Sequence, residues 1–153
     1  MKKIISIFLL VFIGIFFTSC STYEYINYSK KPNTTYYLDK MKGESKKINS
    51  IRVIESNFFK EIEVNKKNYN LISDMLGEIS EQNLLEKYEL SDNPLYRIYI
   101  DISTDKFVID IYGDDVISIY PWDGNYEKEI YNIKDLPLSL KAESIAKYLF
   151  ENK

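Results

Sequence analysis

Three stretches of strict alternation constrain this chain more than any other feature of it. Tyr96 to Ile102, Phe107 to Tyr112 and Val116 to Tyr120 each set isoleucine or phenylalanine at every second position against residues that, apart from Val108 and Val116, are polar or aromatic. A period of two is the pattern of a strand with one face in a core. The intervening segments are short, with turn residues at Thr104-Asp105 and Gly113-Asp114-Asp115, so the three strands form an antiparallel meander. Tyr126 to Ile133 reads as a fourth strand.

The flanking segments complete the fold. Ile51 to Ile54 and Phe59 to Val64 read as two strands with a turn at Ser56-Asn57. Asn65 or Asn68 then caps a helix carrying Tyr69, Ile72, Met75, Leu76 and Ile79 at helical spacing. Leu84, Leu85 and Leu90 continue the buried set as far as the break at Asn93-Pro94. Pro137 and Ser139 introduce a last helix with Ala142, Ile145, Ala146 and Leu149 facing inward. The expected fold class is α+β: an antiparallel sheet, made of a hairpin plus a three- or four-stranded meander, with two helices packed on one face.

Alternation sorts the meander into two faces. Ile98, Ile100, Ile102, Phe107, Ile109, Ile111, Ile117 and Ile119 point to the core, and the other face presents Arg97, Tyr99, Asp101, Val108, Asp110, Tyr112, Val116, Ser118 and Tyr120. With turns at the positions above, the expected cross-strand rows are Tyr99–Asp110–Ser118, Arg97–Tyr112–Val116 and Asp101–Val108–Tyr120. Aromatic rings offer flat apolar surfaces, while arginine and aspartate orient a ligand through charge-assisted hydrogen bonds. Arg97, Tyr99, Asp110, Tyr112, Ser118, Tyr120 and Trp122 are therefore a candidate binding surface. The plain alternative is that tyrosine is a favoured strand residue and the face is half-solvated or covered by another part of the chain.

Two carboxylates on this face carry the argument for an enzyme. In the expected register Asp101 and Asp110 are diagonal neighbours about 7 Å apart, near the spacing of paired acids in glycoside hydrolysis. The same pair, helped by Asp105 or Ser103, would also suit a calcium ion. Against both, an open sheet face is wet and lacks the cleft that tunes such groups. The chain has no histidine and one cysteine among 153 residues, which removes Ser-His-Asp and Cys-His nucleophiles, most zinc sites and any internal disulfide. Asp123-Gly124-Asn125 and Asp114-Asp115 are turn sequences without the ligand spacing of an EF-hand loop. No phosphate-cradling glycine loop exists, so no cofactor and no resident metal are expected. Twenty basic against 23 acidic residues, with only two arginines, exclude nucleic acid as a partner.

The N-terminus is an address. Met1-Lys2-Lys3 is followed by an uncharged run from Ile4 to Phe17 and then Thr18-Ser19-Cys20, the layout of a secretory signal peptide and too short for a permanent span, which needs about 20 residues. Phe17-Thr18-Ser19-Cys20 resembles the lipobox of bacterial lipoproteins, in which small residues precede a lipid-modified cysteine; the departure is Phe17, where that pattern prefers an aliphatic residue. The resemblance covers the first twenty residues. It implies cleavage after Ser19, lipidation of Cys20, and a protein held by two acyl chains at the outer face of the cytoplasmic membrane. The order of elements resembles small lipoprotein domains of low-GC Gram-positive bacteria in layout only.

Three segments follow from this reading: a signal peptide over residues 1–19, the lipidated cysteine with a polar tether over 20–47, and one α+β domain over 48–153. Residues 21–47, fully extended, would reach about 90 Å, although Tyr36-Tyr37-Leu38 has the composition to pack back on the domain as an added strand. The expected function is a non-catalytic binding or interaction module at the cell envelope, with an envelope protein or wall glycan as partner. A wall glycan hydrolase using Asp101 and Asp110, and an accessory subunit of a membrane complex, are the alternatives.

Overall fold

The computed structural model describes residues 31–90, 93–113, 115–122 and 127–152. The signal peptide, Cys20, residues 21–30 of the expected tether, Asp114 and Asp123-Gly124-Asn125 lie outside the described residues. The compact unit from Pro32 to Lys153 is an α+β fold built on one six-stranded antiparallel sheet in the order β2-β1-β3-β4-β5-β6. Its strands are β1 (Ile48–Glu55), β2 (Lys60–Glu63), β3 (Tyr96–Ile102), β4 (Asp105–Ile111), β5 (Val116–Pro121) and β6 (Glu129–Asn132). The helices are α1 (Tyr36–Glu44), α2 (Tyr69–Glu78) and α3 (Ala142–Glu151).

The register is a row of isoleucines. Val53 faces Ile98, Ile98 faces Ile109 and Ile109 faces Ile119, with Ile111 facing Ile117 alongside. β-Branched side chains fit this pleated, half-buried setting. All eight residues expected on the core face of the meander are at most 3% exposed. Ile72, Met75 and Leu76 of α2 and Ala142, Ile145, Ala146 and Leu149 of α3 close over them, as the helical spacing predicts. Asn65 supplies the cap, its side chain accepting from the Lys67 amide at 3.1 Å, and a single 3-10 turn precedes α2. The crossover through α2 returns the chain as β3 on the far side of β1, so the hairpin and the meander share one sheet. At the β6 edge, Leu84 bridges Tyr131 and the Leu85 amide donates to Ile130 at 2.8 Å. The β2 edge is only four residues long and charged, which limits edge-to-edge pairing.

Two expectations are corrected. The first concerns the tether: Tyr36 to Glu44 is neither spacer nor strand but a helix, with Tyr37, Leu38 and Met41 in the core. The domain therefore begins near Pro32 instead of at residue 48. The helix has no side-chain cap of its own at Thr35. Instead the Glu129 carboxylate of β6 accepts from the Tyr37 amide at 2.8 Å, the Leu38 amide at 3.0 Å and the Tyr131 hydroxyl at 2.8 Å. These are the second and third amides of the helix, where N–H groups lack intrahelical partners and the helix dipole favours an anion. The capping residue is more than 90 positions away in the chain, so nothing local in the sequence announces it.

The second correction is the β3–β4 turn. It is Ser103-Thr104, with Ser103 at a φ of 55°, and Asp105 joins β4 opposite Ile102. The register between β3 and β4 is thus two residues away from that expected, while the β4–β5 pairs Asp110–Ser118 and Val108–Tyr120 are as expected. A slip of two keeps every side chain on its face but changes its neighbours.

Glu129 is 1% exposed, so removing its carboxylate strands two helix amides and a buried phenol. Glu129→Ala is expected to cost about 3 kcal/mol in urea unfolding. It should also speed hydrogen exchange at the Tyr37 and Leu38 amides more than at those of α3; equal effects on the two helices would contradict the capping role.

A candidate binding face built around a buried aspartate

The face of the sheet away from the helices is not simply wet. Val108, Asp110 and Ser118 on the central strands are 1%, 0% and 0% exposed, although Val108 stands outside the main core cluster. Longer side chains from neighbouring positions roof them over. In the observed register Arg97, Asp110 and Ser118 form one row, and Tyr99, Val108 and Tyr120 the next.

Asp110 organises this surface. Its Oδ1 accepts from Arg97 Nε at 2.6 Å, and its Oδ2 accepts from Lys128 Nζ at 2.9 Å, the Tyr120 hydroxyl at 2.9 Å and the Tyr112 hydroxyl at 3.3 Å. A carboxylate out of water is tolerated only when paired and hydrogen-bonded, and here two cations and two phenols do both. Two positive groups on one negative group leave the cluster with a local excess of one positive charge. Arg97 and Lys128 keep about a third of their side chains exposed, so that charge is presented at the surface.

The ionisation of these groups follows their setting. Burial works against the charged forms of Arg97 and Lys128, but hydrogen bonds to Asp110 outweigh it and hold both more firmly protonated than usual. Burial raises the Tyr120 phenol well above its ordinary range, and the adjacent Asp110 charge pushes the same way. Rings and cations also stack: Arg52 lies 5.3 Å from the Tyr99 ring centroid, Lys128 4.4 Å from that of Tyr120, and Lys106 5.0 Å from that of Trp122, distances at which a cation is attracted to the ring face. Both arginines of the chain are on this face.

Of the candidate residues, Arg97, Asp110, Tyr112 and Tyr120 are in direct contact. Tyr99 lies one row away, and Ser118 sits beside Asp110 with its Oγ buried and unpaired. Trp122, half exposed, marks the end of β5. Arg52, Lys106 and Lys128 were not anticipated. The signal for Lys128 was its parity with Ile130 in β6, which puts it on the same face.

The pairing of Asp101 with Asp110 does not survive the corrected register. Asp101 lies opposite Lys106, about 13 Å along the strand direction from Asp110 at ~3.3 Å per residue, and accepts from Ser50 Oγ at 2.9 Å. Asp105 is ion-paired to Lys40 at 2.7 Å. The structure brings these acids together neither for glycoside hydrolysis nor for calcium.

Residues 31–146 match the family described as Domain of unknown function (DUF4883). The chain belongs to this family. The matched span starts ahead of α1, in agreement with a domain that includes that helix. A crystal structure described as "Putative Lipoprotein from Clostridium perfringens" is similar to it at 36% sequence identity and a TM-score of 0.72, covering 81% of this chain and 100% of that one. The DUF4883 fold is thus shared with a protein described as a lipoprotein. Comparison with curated proteins gives no match.

Two outcomes test the network. Asp110→Ala should lower unfolding free energy by about 2–3 kcal/mol, the low end for a broken buried pair because both cations remain partly solvated; a loss below 0.5 kcal/mol, the scale of an ordinary surface change, would show that the carboxylate is dispensable. Tyr120 is protonated more firmly folded than unfolded, so its contribution is complete below pH ~10 and is lost as pH rises past that value, where the unfolded phenol ionises first. Tyr120→Phe should make the alkaline decline in stability shallower, and an unchanged slope would contradict the shift.

Proposed function

We propose that this chain is a lipoprotein anchored through Cys20 at the extracytoplasmic face of the cytoplasmic membrane, whose domain binds an envelope partner without catalysing a reaction on it. Similarity to the Clostridium perfringens protein described as a lipoprotein supports the envelope setting. The layout of Lys2-Lys3, the apolar run and the chain's single cysteine supports the anchor.

The observation that carries the binding reading is the Asp110 cluster. A fixed carboxylate holds two cations and two phenols in place at a surface flanked by Tyr99 and Trp122. Side chains ordered before binding lose little entropy on contact, and aromatic and arginine groups dominate binding hot spots. The best match is an envelope protein or wall glycan with an anionic group beside a flat apolar one.

A photo-crosslinking amino acid placed at Tyr99 in the full chain in cells should yield a discrete adduct. The same probe at Leu138, which is exposed in the 3-10 turn ahead of α3, should not. Tyr99→Ser with Tyr112→Ser should abolish binding of the captured partner while circular dichroism stays native. Equal labelling from both positions, or binding indifferent to the double change, would overturn the binding role. Mass spectrometry of the Cys20 peptide tests the anchor separately.

A further inference from the structure

The helix side of the sheet has an opening of its own. Where β1 begins and β2 ends, the start of α2 and the end of α3 leave a cleft of about 530 Å³. That volume falls in the range of clefts that hold small ligands. No residue of the Asp110 cluster lines it, so whatever enters it is held independently of the open face.

The floor and the rim differ in chemistry. Ile62, Val64 and Leu149 lie at the bottom and are each at most 8% exposed, so the apolar surface on offer fits a methyl group and not a large apolar side chain. Four asparagines stand around it: Asn49, Asn65, Asn68 and Asn152. Three of them are each fixed by one hydrogen bond. Asn49 Nδ2 donates to the Ser103 carbonyl at 2.9 Å and Asn152 Nδ2 to the Tyr148 carbonyl at 2.9 Å, while Asn65 Oδ1 accepts from the Lys67 amide at 3.1 Å. Each thereby keeps the other half of its amide for a ligand: two carbonyl oxygens that accept and one amino group that donates. Asn68 makes no side-chain cap to α2 and keeps both halves. The charged lining residues, Glu63 and Lys66, cancel in sign, and the half-buried Tyr69 ring lies beside them.

We infer that this cleft binds an N-acetylated sugar through the amides of Asn49, Asn65, Asn68 and Asn152, with the sugar ring against Tyr69. Donors and acceptors in near-equal number, oriented before contact and without net charge, match a neutral ligand dense in both. An acetamido group pairs with an asparagine amide as donor and as acceptor, its methyl meets the narrow apolar floor, and the flat apolar side of a pyranose meets an aromatic ring. A phosphate polymer would find Lys66 already offset by Glu63. An alanyl peptide brings an amide and a methyl but no ring face for Tyr69. On the anchored-lipoprotein reading, such sugars are met as constituents of the wall glycan; the cleft chemistry itself does not depend on that reading or on Asp110.

The full chain in micelles of a sugar-free detergent is titrated with chitotriose, the trimer of N-acetylglucosamine, and followed by saturation-transfer NMR. Saturation should reach the sugar, most strongly at the acetamido methyls. Cellotriose, the counterpart without acetamido groups, should bind at least about tenfold more weakly, because the asparagine amides are then left unpaired. N-acetylalanine methylamide should bind no better than cellotriose. Asn68→Ala, which removes a side chain that caps nothing, should weaken chitotriose binding about threefold, and the double change with Asn152→Ala about tenfold. Leu138→Ser, outside the cleft, should leave it unchanged. Absence of saturation transfer at millimolar chitotriose, equal binding of cellotriose, a peptide analogue that binds as tightly, full binding by the double variant with native circular dichroism, or loss on Leu138→Ser would each overturn the inference. Crosslinking from Tyr99 reads the other face of the sheet, so its outcome is separate from this one.

Discussion

One buried carboxylate holds the first helix to the last strand. Glu129 meets three donors, two of them backbone amides that α1 cannot satisfy internally, so the anion and the helix start each remove the other's cost of leaving water. Without that contact, the packing of Tyr37, Leu38 and Met41 would have to be held by the lysines of α1, Lys40 on Asp105 and Lys42 on the Gly77 carbonyl. The closure joins positions more than 90 residues apart. It thereby makes the end of the sheet depend on a segment that composition alone would assign to a linker.

Asp110 is the counterpart on the other face. Glu129 faces a helix terminus and is fixed within the core, whereas Asp110 faces cations and phenols that reach the surface. The two acids share a logic, since each is buried and compensated by several donors, but not a consequence. The first closes the fold, and the second arranges what the outside meets.

Much of this was legible in the sequence because it follows from period. Alternation gave the core face of the meander residue by residue, and the 3.6-residue stripes of α2 and α3 gave their inward sides. Register was less legible: Thr104-Asp105 and Ser103-Thr104 are both acceptable turns, and choosing between them moved Arg97 opposite Asp110 and took Asp101 away. The site was therefore recognised as a set of residues but not as a network. Helix α1 was missed because only three of its nine residues are buried and its cap comes from tertiary structure. Lys128 was missed because its role appears only once β6 is laid beside β5.

The inclusion of α1 in the domain changes the leash. On the proposed anchor at Cys20, the connecting chain is 11 residues, 21–31, instead of 27, and its greatest reach drops from about 90 to about 37 Å. The volume a tethered domain can explore scales as the cube of that reach, so it shrinks roughly fifteenfold, and the local concentration of the domain at the bilayer surface rises in proportion. A short leash of this kind makes even weak contacts between the domain and its own membrane persistent, and confines any partner it meets to a layer a few nanometres deep.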